Sequence, residues 1–382
     1  MRENISIYIH IPFCKKKCFY CDFVSFDNKA ELIQTYIDAL CEEILQNAEI
    51  LSEYNIKTIY FGGGTPSMID SKYIVQIMNI LKLFTINNNL EEVTIEVNPN
   101  SITPEKLQDY YNCGINRLSI GLQSTHDKIL RNIGRSHTFK DFKDTLKNAK
   151  NAGFTNISVD LIYPLPGLNL TSFKDSLNSI MKLKDEFNIK HISVYNLEVH
   201  ENTRLAFLLK EGFLSLCGED EEYKMREALN QILKMHGYNK YEVSNYSQPS
   251  FESKHNLCYW NQDKYLGFGV NASSFFNLKR YKNTSSIEKY INGINNNQNI
   301  IEESEELDKL GLMKEYAILK LRLKKGINIL EFREKFDTDI FDIFNTELAS
   351  LKKDNLIFIN DNYIFLTNRG EEVANIVWER FI

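Results

Sequence analysis

Three of the seven cysteines in this 382-residue chain lie close together near its first residue. Cys14, Cys18 and Cys21 are spaced C-x3-C-x2-C and directly follow an alternating apolar run that predicts a strand. Thiolates are soft ligands that suit iron–sulfur clusters, zinc or copper(I). Because a cubane [4Fe–4S] cluster usually takes four cysteines, three without a nearby fourth predict a cluster whose last iron is open to another ligand.

Two other uses of these thiols fit the pattern less well. A disulfide cannot use all three, and nothing in the sequence indicates an oxidising compartment. Structural zinc prefers two C-x2-C pairs, and the sequence has no second pair, so a zinc-stabilised interaction module is the non-catalytic alternative. The other four cysteines are isolated and are expected to be small core residues: Cys41, Cys113, Cys217 and Cys258.

The elements that must position these cysteines alternate between strands and amphipathic helices. Hydrophobic periodicity predicts strands at 5–11, 56–61, 93–97, 116–121, 157–162 and 190–195. Six such βα units imply a parallel sheet with helices outside it, and right-handed crossovers curl such a sheet toward a barrel. The predicted fold class is therefore α/β, with a partial (β/α)6, TIM-like barrel.

Polar groups recur at or near the carboxyl ends of these strands. The positions of interest are Gly63, Gly64, Thr65, Glu96, Gln123 and Asp160, with Arg135 following strand four. Taken singly, each has an ordinary explanation, such as a tight turn at the glycines, a capping acid or a surface cation. In a parallel barrel, however, these strand ends lie on one rim, where active sites of this architecture are found. Their recurrence predicts an active-site rim.

The cysteine motif, with an aromatic residue before its last cysteine, is the signature of the radical S-adenosylmethionine (radical SAM) superfamily. The run Tyr8-Ile9-His10-Ile11-Pro12-Phe13-Cys14 further resembles the coproporphyrinogen-dehydrogenase group, which includes haem chaperones. The resemblance implies a cluster held by the three cysteines, and SAM bound at its open iron and cleaved to a 5′-deoxyadenosyl radical. It also implies a set of SAM-binding residues: Tyr8, Tyr20, Gly63, Gly64, Thr65, Glu96, Gln123, Arg135 and Asp160.

A second motif, His255-Asn256-Leu257-Cys258-Tyr259-Trp260, resembles the haem-chaperone members of the group, as do Tyr241–Asn245 and Tyr265–Gly269 around it. The resemblance implies haem binding by His255, Asn256, Tyr259 and Trp260. Histidine can supply an axial nitrogen, and large aromatics can cover the macrocycle. The alternative is a buried histidine bonded to backbone beside a tryptophan that fills a core gap. Ser273 stands where relatives commonly have a histidine, which leaves the axial ligands open.

The last part of the chain predicts a separate small domain. Helices are expected near 305–324, 329–336 and 340–353, followed by a hairpin at 356–366 and a last helix from Thr367. This order is typical of a winged-helix-like α+β module, and the resemblance implies a lid or docking domain. The expected domains are 1–236 for the radical SAM partial barrel, 237–304 for an extension with the haem motif, and 305–382.

Composition and charge limit the classes of partner that the protein is expected to bind. The net charge of -6 and the acidic stretch at 302–306 argue against binding of nucleic acid through bulk positive charge. No signal peptide or 18-residue apolar run is visible, so a cytoplasmic protein is expected, with peripheral attachment to a membrane left open. The resemblance implies haem, haem-accepting apoproteins (membrane-bound ones among them) and an electron donor as partners; a homodimer is left open.

Two differences between this chain and the dehydrogenase members of the group bear on whether it is an enzyme or a chaperone. Dehydrogenase members of the group carry a fourth cysteine two residues after the motif and a long N-terminal extension. Here Cys21 is followed by Asp22-Phe23, and the motif starts at residue 14. The resemblance therefore favours a [4Fe–4S], SAM-binding haem chaperone that delivers haem to respiratory or other membrane proteins. The alternative is an oxygen-independent coproporphyrinogen III dehydrogenase of porphyrin biosynthesis. No catalytic residue is assigned, and enzymatic activity stays undecided.

Overall fold

Six parallel strands form the centre of the main sheet in a computed structural model that describes residues 2–85 and 90–382. They are β1 (Asn4–Ile11), β2 (Asn55–Gly63), β3 (Glu92–Val97), β4 (Arg117–Gln123), β5 (Ile157–Tyr163) and β6 (Ile189–Asn196). Each pairs in parallel with the next along the chain. The six predicted strands are confirmed, with ends that differ by no more than about two residues.

Nine helices connect and follow these strands in the described part of the chain. They are α1 (Ile33–Gln46), α2 (Ala48–Glu53), α3 (Ser71–Lys82), α4 (Pro104–Asn112), α5 (Asp127–Asn132), α6 (Phe139–Ala152), α7 (Leu170–Leu183), α8 (Arg204–Lys210) and α9 (Glu219–Met235). The side chain of Thr103 caps α4 by accepting a hydrogen bond from Lys106 N. Helices α1 and α2 are separate, because the Asn47 side chain donates a hydrogen bond to the Glu43 carbonyl and interrupts the helix.

The sheet continues beyond both edges of this parallel centre. The added elements are β7 (Asn239–Lys240), β8 (Asn245–Ser247), α10 (Lys254–Trp260), β9 (Tyr265–Phe268), β10 (Ser273–Phe276), β11 (Lys279–Asn283), α11 (Ile287–Asn295) and β12 (Ile301–Glu306). The strand order is β12-β11-β10-β9-β1-β2-β3-β4-β5-β6-β8-β7, so β1 to β6 do not close on themselves. The partial barrel is thus confirmed, and β9 extends it by pairing in parallel with β1.

The C-terminal domain has its own core. It contains α12 (Lys309–Lys320), β13 (Ile327–Asn328), α13 (Ile329–Phe336), α14 (Ile340–Lys353), β14 (Ile357–Ile359), β15 (Tyr363–Leu366), α15 (Asn368–Glu372) and α16 (Ala374–Glu379). The predicted hairpin is confirmed, and β13 makes it a three-stranded antiparallel sheet.

The first helix of this domain starts later than predicted. The acidic residues at 302–306 form the exposed edge strand β12 of the main sheet, where they pair with the basic strand β11. This cross-strand charge pairing, which the helical pattern concealed, is the physical reason for the difference. Within the described ranges, no helix combines the length and the apolar character needed to cross a bilayer.

Candidate functional site

The cysteine segment is joined to the loop after β2 by backbone hydrogen bonds. Gly64 N donates to the last carbonyl of β1, and Thr65 N donates to Phe13 O, both over 2.9 Å. A Cβ on Gly64 would lie 2.9 Å from the Phe13 carbonyl oxygen, so only glycine permits this approach. Thr65 Oγ1 consequently lies 3.5 Å from Cys14 Sγ. The glycine-rich loop therefore sets the position of the first cysteine.

The three predicted ligands occupy one loop between β1 and α1. Cys14 is buried, whereas Cys18 and Cys21 are half-buried, and Cys21 N donates to Cys18 O over 3.2 Å. Burial raises the pKa of the Cys14 thiol, and it raises the pKa of the Cys21 thiol to about 11. Metal binding at this loop must therefore displace protons, as thiolate ligation does generally.

A cation stands beside these thiols. Arg135 Nη1 is 3.7 Å from Cys18 Sγ, and its Nη2 donates to Gly121 O. Tyr20 lies beside the same sulfur and the same guanidinium, and burial raises the pKa of its hydroxyl. A positive charge at this distance stabilises thiolate ligands, so the loop's chemistry fits an iron–sulfur cluster.

The distances between possible ligand side chains are also relevant to the kind of metal site. In residues 2–85 and 90–382, no three His, Cys, Asp or Glu side chains converge closely enough to hold one ion. A cubane does not require this, because each cysteine binds a different iron. A tetrahedral zinc ion does require it. The expectation of a cluster therefore rests on the cysteine motif and on the chemistry of its loop.

Next to the cluster loop, the rim carries a half-buried carboxyl group. Glu96 Oε1 accepts a hydrogen bond from Tyr60 OH over 2.9 Å. Burial raises the pKa of Glu96 to about 7, and the charge of Asp160 adds to this rise while Tyr60 opposes it. Gly63 lies beside it in a left-handed conformation (φ 112°) that keeps the chain close to the His10 ring. Tyr8 OH is 3.0 Å from His10 Nδ1 on the same face of β1.

Two further rim residues retain unpaired buried atoms. Gln123 ends β4 in a left-handed conformation, and its Oε1 has no protein partner among the described residues. Arg135 Nε is also buried without a described partner. Such orphaned groups are costly unless a ligand satisfies them, so both fit the predicted SAM site. Asp160 differs, because it lies in mid-strand and accepts hydrogen bonds from Ser119 and Ser158.

The haem motif forms helix α10, whose first turn rests on a buried acid. Glu92 accepts hydrogen bonds from Ser253 Oγ, Lys254 N and His255 N at 2.9 to 3.3 Å. A carboxylate at this position satisfies otherwise unpaired amides and complements the positive end of the helix. Asn256 is half-buried, and its backbone N donates to the capping Ser253 Oγ.

His255 is 1% exposed, and both of its ring nitrogens are engaged. Nδ1 is 2.7 Å from Thr58 Oγ1, and Nε2 is 2.8 Å from Tyr259 OH. Burial, with a contribution from Arg117, lowers the pKa of His255 to about 3, so the ring is neutral. In this conformation His255 orients Tyr259. His255 is thus a buried histidine, as in the alternative given above, but its hydrogen-bond partners are side chains and not backbone groups.

An open cavity of about 430 Å³, which we call the rim cavity, connects the two sets of residues. Tyr8, Gly63 and Glu96 line it from the barrel rim, and Tyr259 and Trp260 line it from α10. Strands β9 to β11 add Tyr265, Ser273, Phe275 and Arg280, and α12 adds Leu319. A largely apolar cavity of this size with a few polar groups suits a small-molecule ligand.

Sequence reasoning missed several residues of this site. His10 lines the cavity, and the alternation of β1 places it on the same face as Tyr8. Tyr60 lies behind the lining, where it bonds Glu96 and stacks on Tyr8. That alternation was a usable signal for His10. Tyr265 and Arg280 carry no such signal, because they reach the cavity only through the pairing of β9 with β1.

Comparison with known proteins agrees with this geometry. Residues 8–180 match the family model described as the radical SAM superfamily, and residues 307–371 match that of the HemN C-terminal domain. The solved structure of coproporphyrinogen III oxidase (HemN) from Escherichia coli superposes with a TM-score of 0.85 and 23% identity, covering 100% of this chain and 90% of that one. The fold and the cysteine loop thus define a radical SAM protein, a class that uses a [4Fe–4S] cluster and SAM.

Two curated relatives identify the branch of this class. The heme chaperone HemW of Lactococcus lactis is 34% identical over 100% of this chain and 98% of its own length. The heme chaperone HemW of Bacillus subtilis is 32% identical over 99% of both chains. The chain belongs to the heme chaperone HemW family.

Proposed function

We propose that this protein binds haem in the rim cavity and passes it to haem-requiring apoproteins, membrane-bound enzymes among them. The observation that carries the proposal is that one cavity is lined both by the radical SAM rim and by the aromatic side chains of the haem motif. The curated relatives that match the whole chain are named heme chaperones, which supports the same ligand.

In this proposal, different residues of the chain bind the cluster, SAM and haem. Cys14, Cys18 and Cys21 would hold the cluster, and Arg135 beside Cys18 would stabilise its negative charge. Glu96, Gln123 and the glycine-rich loop would bind SAM, which supplies one-electron radical chemistry when an electron donor reduces the cluster. Tyr259 and Trp260 would cover the macrocycle. A bond from His255 to the haem iron would require Nε2 to exchange the Tyr259 hydroxyl for the metal.

Titration of the anaerobically reconstituted full-length protein with haem tests this proposal. We expect a stoichiometric Soret shift that is diminished in Trp260→Ala and changed in position in His255→Ala. Lys254→Ala is the matched control, because Lys254 is exposed on the same helix and pairs with Glu91. A wild-type protein that shows no saturable Soret change would contradict the proposal.

Coproporphyrinogen III dehydrogenation is the second candidate, since residues 307–371 match the HemN C-terminal domain. Incubation with coproporphyrinogen III, SAM and a reductant separates the two functions. We expect no protoporphyrinogen, because Asp22 and Phe23 follow Cys21 where dehydrogenases carry a further cysteine. Multiple turnovers would instead establish the enzyme.

A further inference from the structure

Arg280 is the one cation among the described residues that line the rim cavity, since His10, with its pKa lowered to about 4 by burial, is neutral. The guanidinium projects from β11 and lies over the Phe275 ring at 4.9 Å from its centroid. Its side chain is 31% exposed, so it remains accessible from the cavity. An accessible guanidinium in a mostly apolar cavity, even one that is ion-paired with Glu315 behind the lining, is a candidate for recognition of an anionic group.

The guanidinium is held in one orientation. Nε donates to Glu315, and Nη1 donates to Tyr265 OH over 3.1 Å. Nη2 has no hydrogen-bond acceptor among residues 2–85 and 90–382, and it is not among their buried unpaired atoms. An arginine fixed at two nitrogens and open at the third can bind a carboxylate without losing further side-chain freedom.

The other charged side chains that line the cavity are acidic and do not attract an anion. Glu96 accepts from Tyr60 at the SAM end, and Asp263 lies near Lys320 and Lys335 of the C-terminal domain. A carboxyl group offers no positive charge to an acidic substituent and repels it when ionised. A flat ligand with an apolar body and an acidic edge therefore has one favourable direction, with that edge at Arg280.

We propose that Arg280 binds a carboxylate of the cavity's ligand and so sets its orientation. This deepens the proposed function and rests on it, because haem is a flat, apolar macrocycle whose propionates lie along one edge. Tyr259, Tyr265 and Phe275 would contact the ring, and Arg280 would pair with a propionate. The residue thereby makes the cavity specific for the free acid over a neutral porphyrin.

The test compares haem with haem dimethyl ester, in which methylation has neutralised both propionates. Dissociation constants are measured by Soret titration for reconstituted wild-type protein, Arg280→Ala, Arg280→Lys and Lys279→Ala. Lys279 is the matched control, because it is the neighbouring cation of β11 and pairs with Glu306 over 3.2 Å outside the cavity. The ratio of the two constants in each variant is insensitive to a general loss of folded protein.

We expect wild-type protein and Lys279→Ala to prefer haem, and Arg280→Ala to lose about 10–100-fold in affinity for haem with little change for the ester. The affinity of Arg280→Lys for haem should lie between those of wild-type protein and Arg280→Ala, because the positive charge remains while the planar guanidinium is lost. An unchanged ratio in Arg280→Ala, or no preference in wild type, would overturn the role of Arg280 while haem binding stands. Wild-type protein that binds neither ligand would overturn the proposed function as well.

Discussion

Gly64 determines how closely two loops of the site can approach each other. It brings Thr65 within 3.5 Å of Cys14 and leaves no room for a side chain against Phe13. Its role here is steric, since its own φ does not lie in the left-handed region. The position of Cys14, a predicted cluster ligand, therefore depends on the absence of one methyl group.

We expect Gly64→Ala to lower the iron and sulfide content of reconstituted protein and its stability by about 1–3 kcal/mol, because the added Cβ overpacks rigid backbone. Metal analysis and thermal unfolding measure the two effects. Gly218→Ala is the control, since a Cβ at Gly218 meets nothing within 4 Å. A Gly64→Ala protein with full cluster content and an unchanged melting temperature would refute the steric argument.

His255 shows how environment decides what a residue type can do. Thr58 and Tyr259 engage its two nitrogens, and the Tyr60 ring stacks on it at 5.1 Å. A neutral imidazole in such surroundings fixes its neighbours and leaves the surface of the cavity to them. We infer that the motif's aromatic residues, more than its histidine, form the resting surface of the cavity.

At the scale of elements, one buried acid connects α1 to the strands added beside β1. Glu43 accepts hydrogen bonds from Gly269 N at 2.8 Å, from Asn283 Nδ2 at 2.7 Å and from Tyr290 OH. These partners belong to the segment after β9, to β11 and to α11. Burial raises the pKa of Glu43 to about 7, with the three donors opposing the rise. The carboxyl group is thus a titratable link between the barrel and its extension.

This raised pKa predicts a dependence of stability on pH. The contribution of Glu43 is complete below the unfolded pKa of 4.5 and is lost as the pH rises from there through about 7. Relative to Glu43→Gln, wild-type protein should therefore lose roughly 3 kcal/mol of unfolding free energy between pH 4.5 and pH 8.

Urea unfolding of both proteins across this pH range measures the difference. Glu42→Gln, on the exposed side of the same helix, should change stability by less than about 0.5 kcal/mol and should follow the pH profile of wild type. If the difference between wild-type protein and Glu43→Gln stays constant with pH, the buried carboxyl does not titrate as described.

At the scale of the whole molecule, the C-terminal domain contacts the barrel extension through α10 and α12. Gln262 Nε2 donates to Leu312 O over 3.0 Å, and Lys320 Nζ donates to Asn261 Oδ1 over 2.9 Å. Leu319 of α12 is part of the cavity wall. The domain therefore contributes to one side of the cavity wall.

Arg322 connects the chain's two tryptophans across this contact. Its guanidinium lies 5.0 Å from the Trp260 ring centroid and 4.1 Å from that of Trp378. A second, smaller cavity of about 150 Å³ lies beside it, next to the ion pairs of Glu371 with Lys240 and Lys324. These contacts hold the two cores in one arrangement.

We expect Arg322→Ala to red-shift tryptophan emission and to destabilise the docking of the C-terminal domain by roughly 1–3 kcal/mol, because two cation–π contacts are lost. Steady-state fluorescence and limited proteolysis measure the two effects. Lys325→Ala serves as the comparison, since Lys325 lies over Tyr363 and contacts neither tryptophan ring. Emission from Arg322→Ala that matches wild type would show that the arginine does not shield the rings.

Much of the fold could be predicted from local patterns in the amino-acid sequence. Short apolar runs predict each of the six parallel strands, since a strand covered by helices must bury the side chains that face them. The spacing of Cys14, Cys18 and Cys21 predicts their common loop, because residues this close in sequence share one turn. The sequence therefore determined the fold class and the loop that carries the three predicted cluster ligands.

Tertiary structure decided how the distant parts meet. The pairing of β9 with β1 brings Tyr265 and Arg280 to the cavity, and it depends on contacts between residues more than 250 positions apart. Long-range packing also encloses His255 between Thr58 and Tyr259. Residues 301–306 become a strand through their pairing with β11. Local spacing cannot encode such contacts, because their free energy arises only when separated segments bury the same surface.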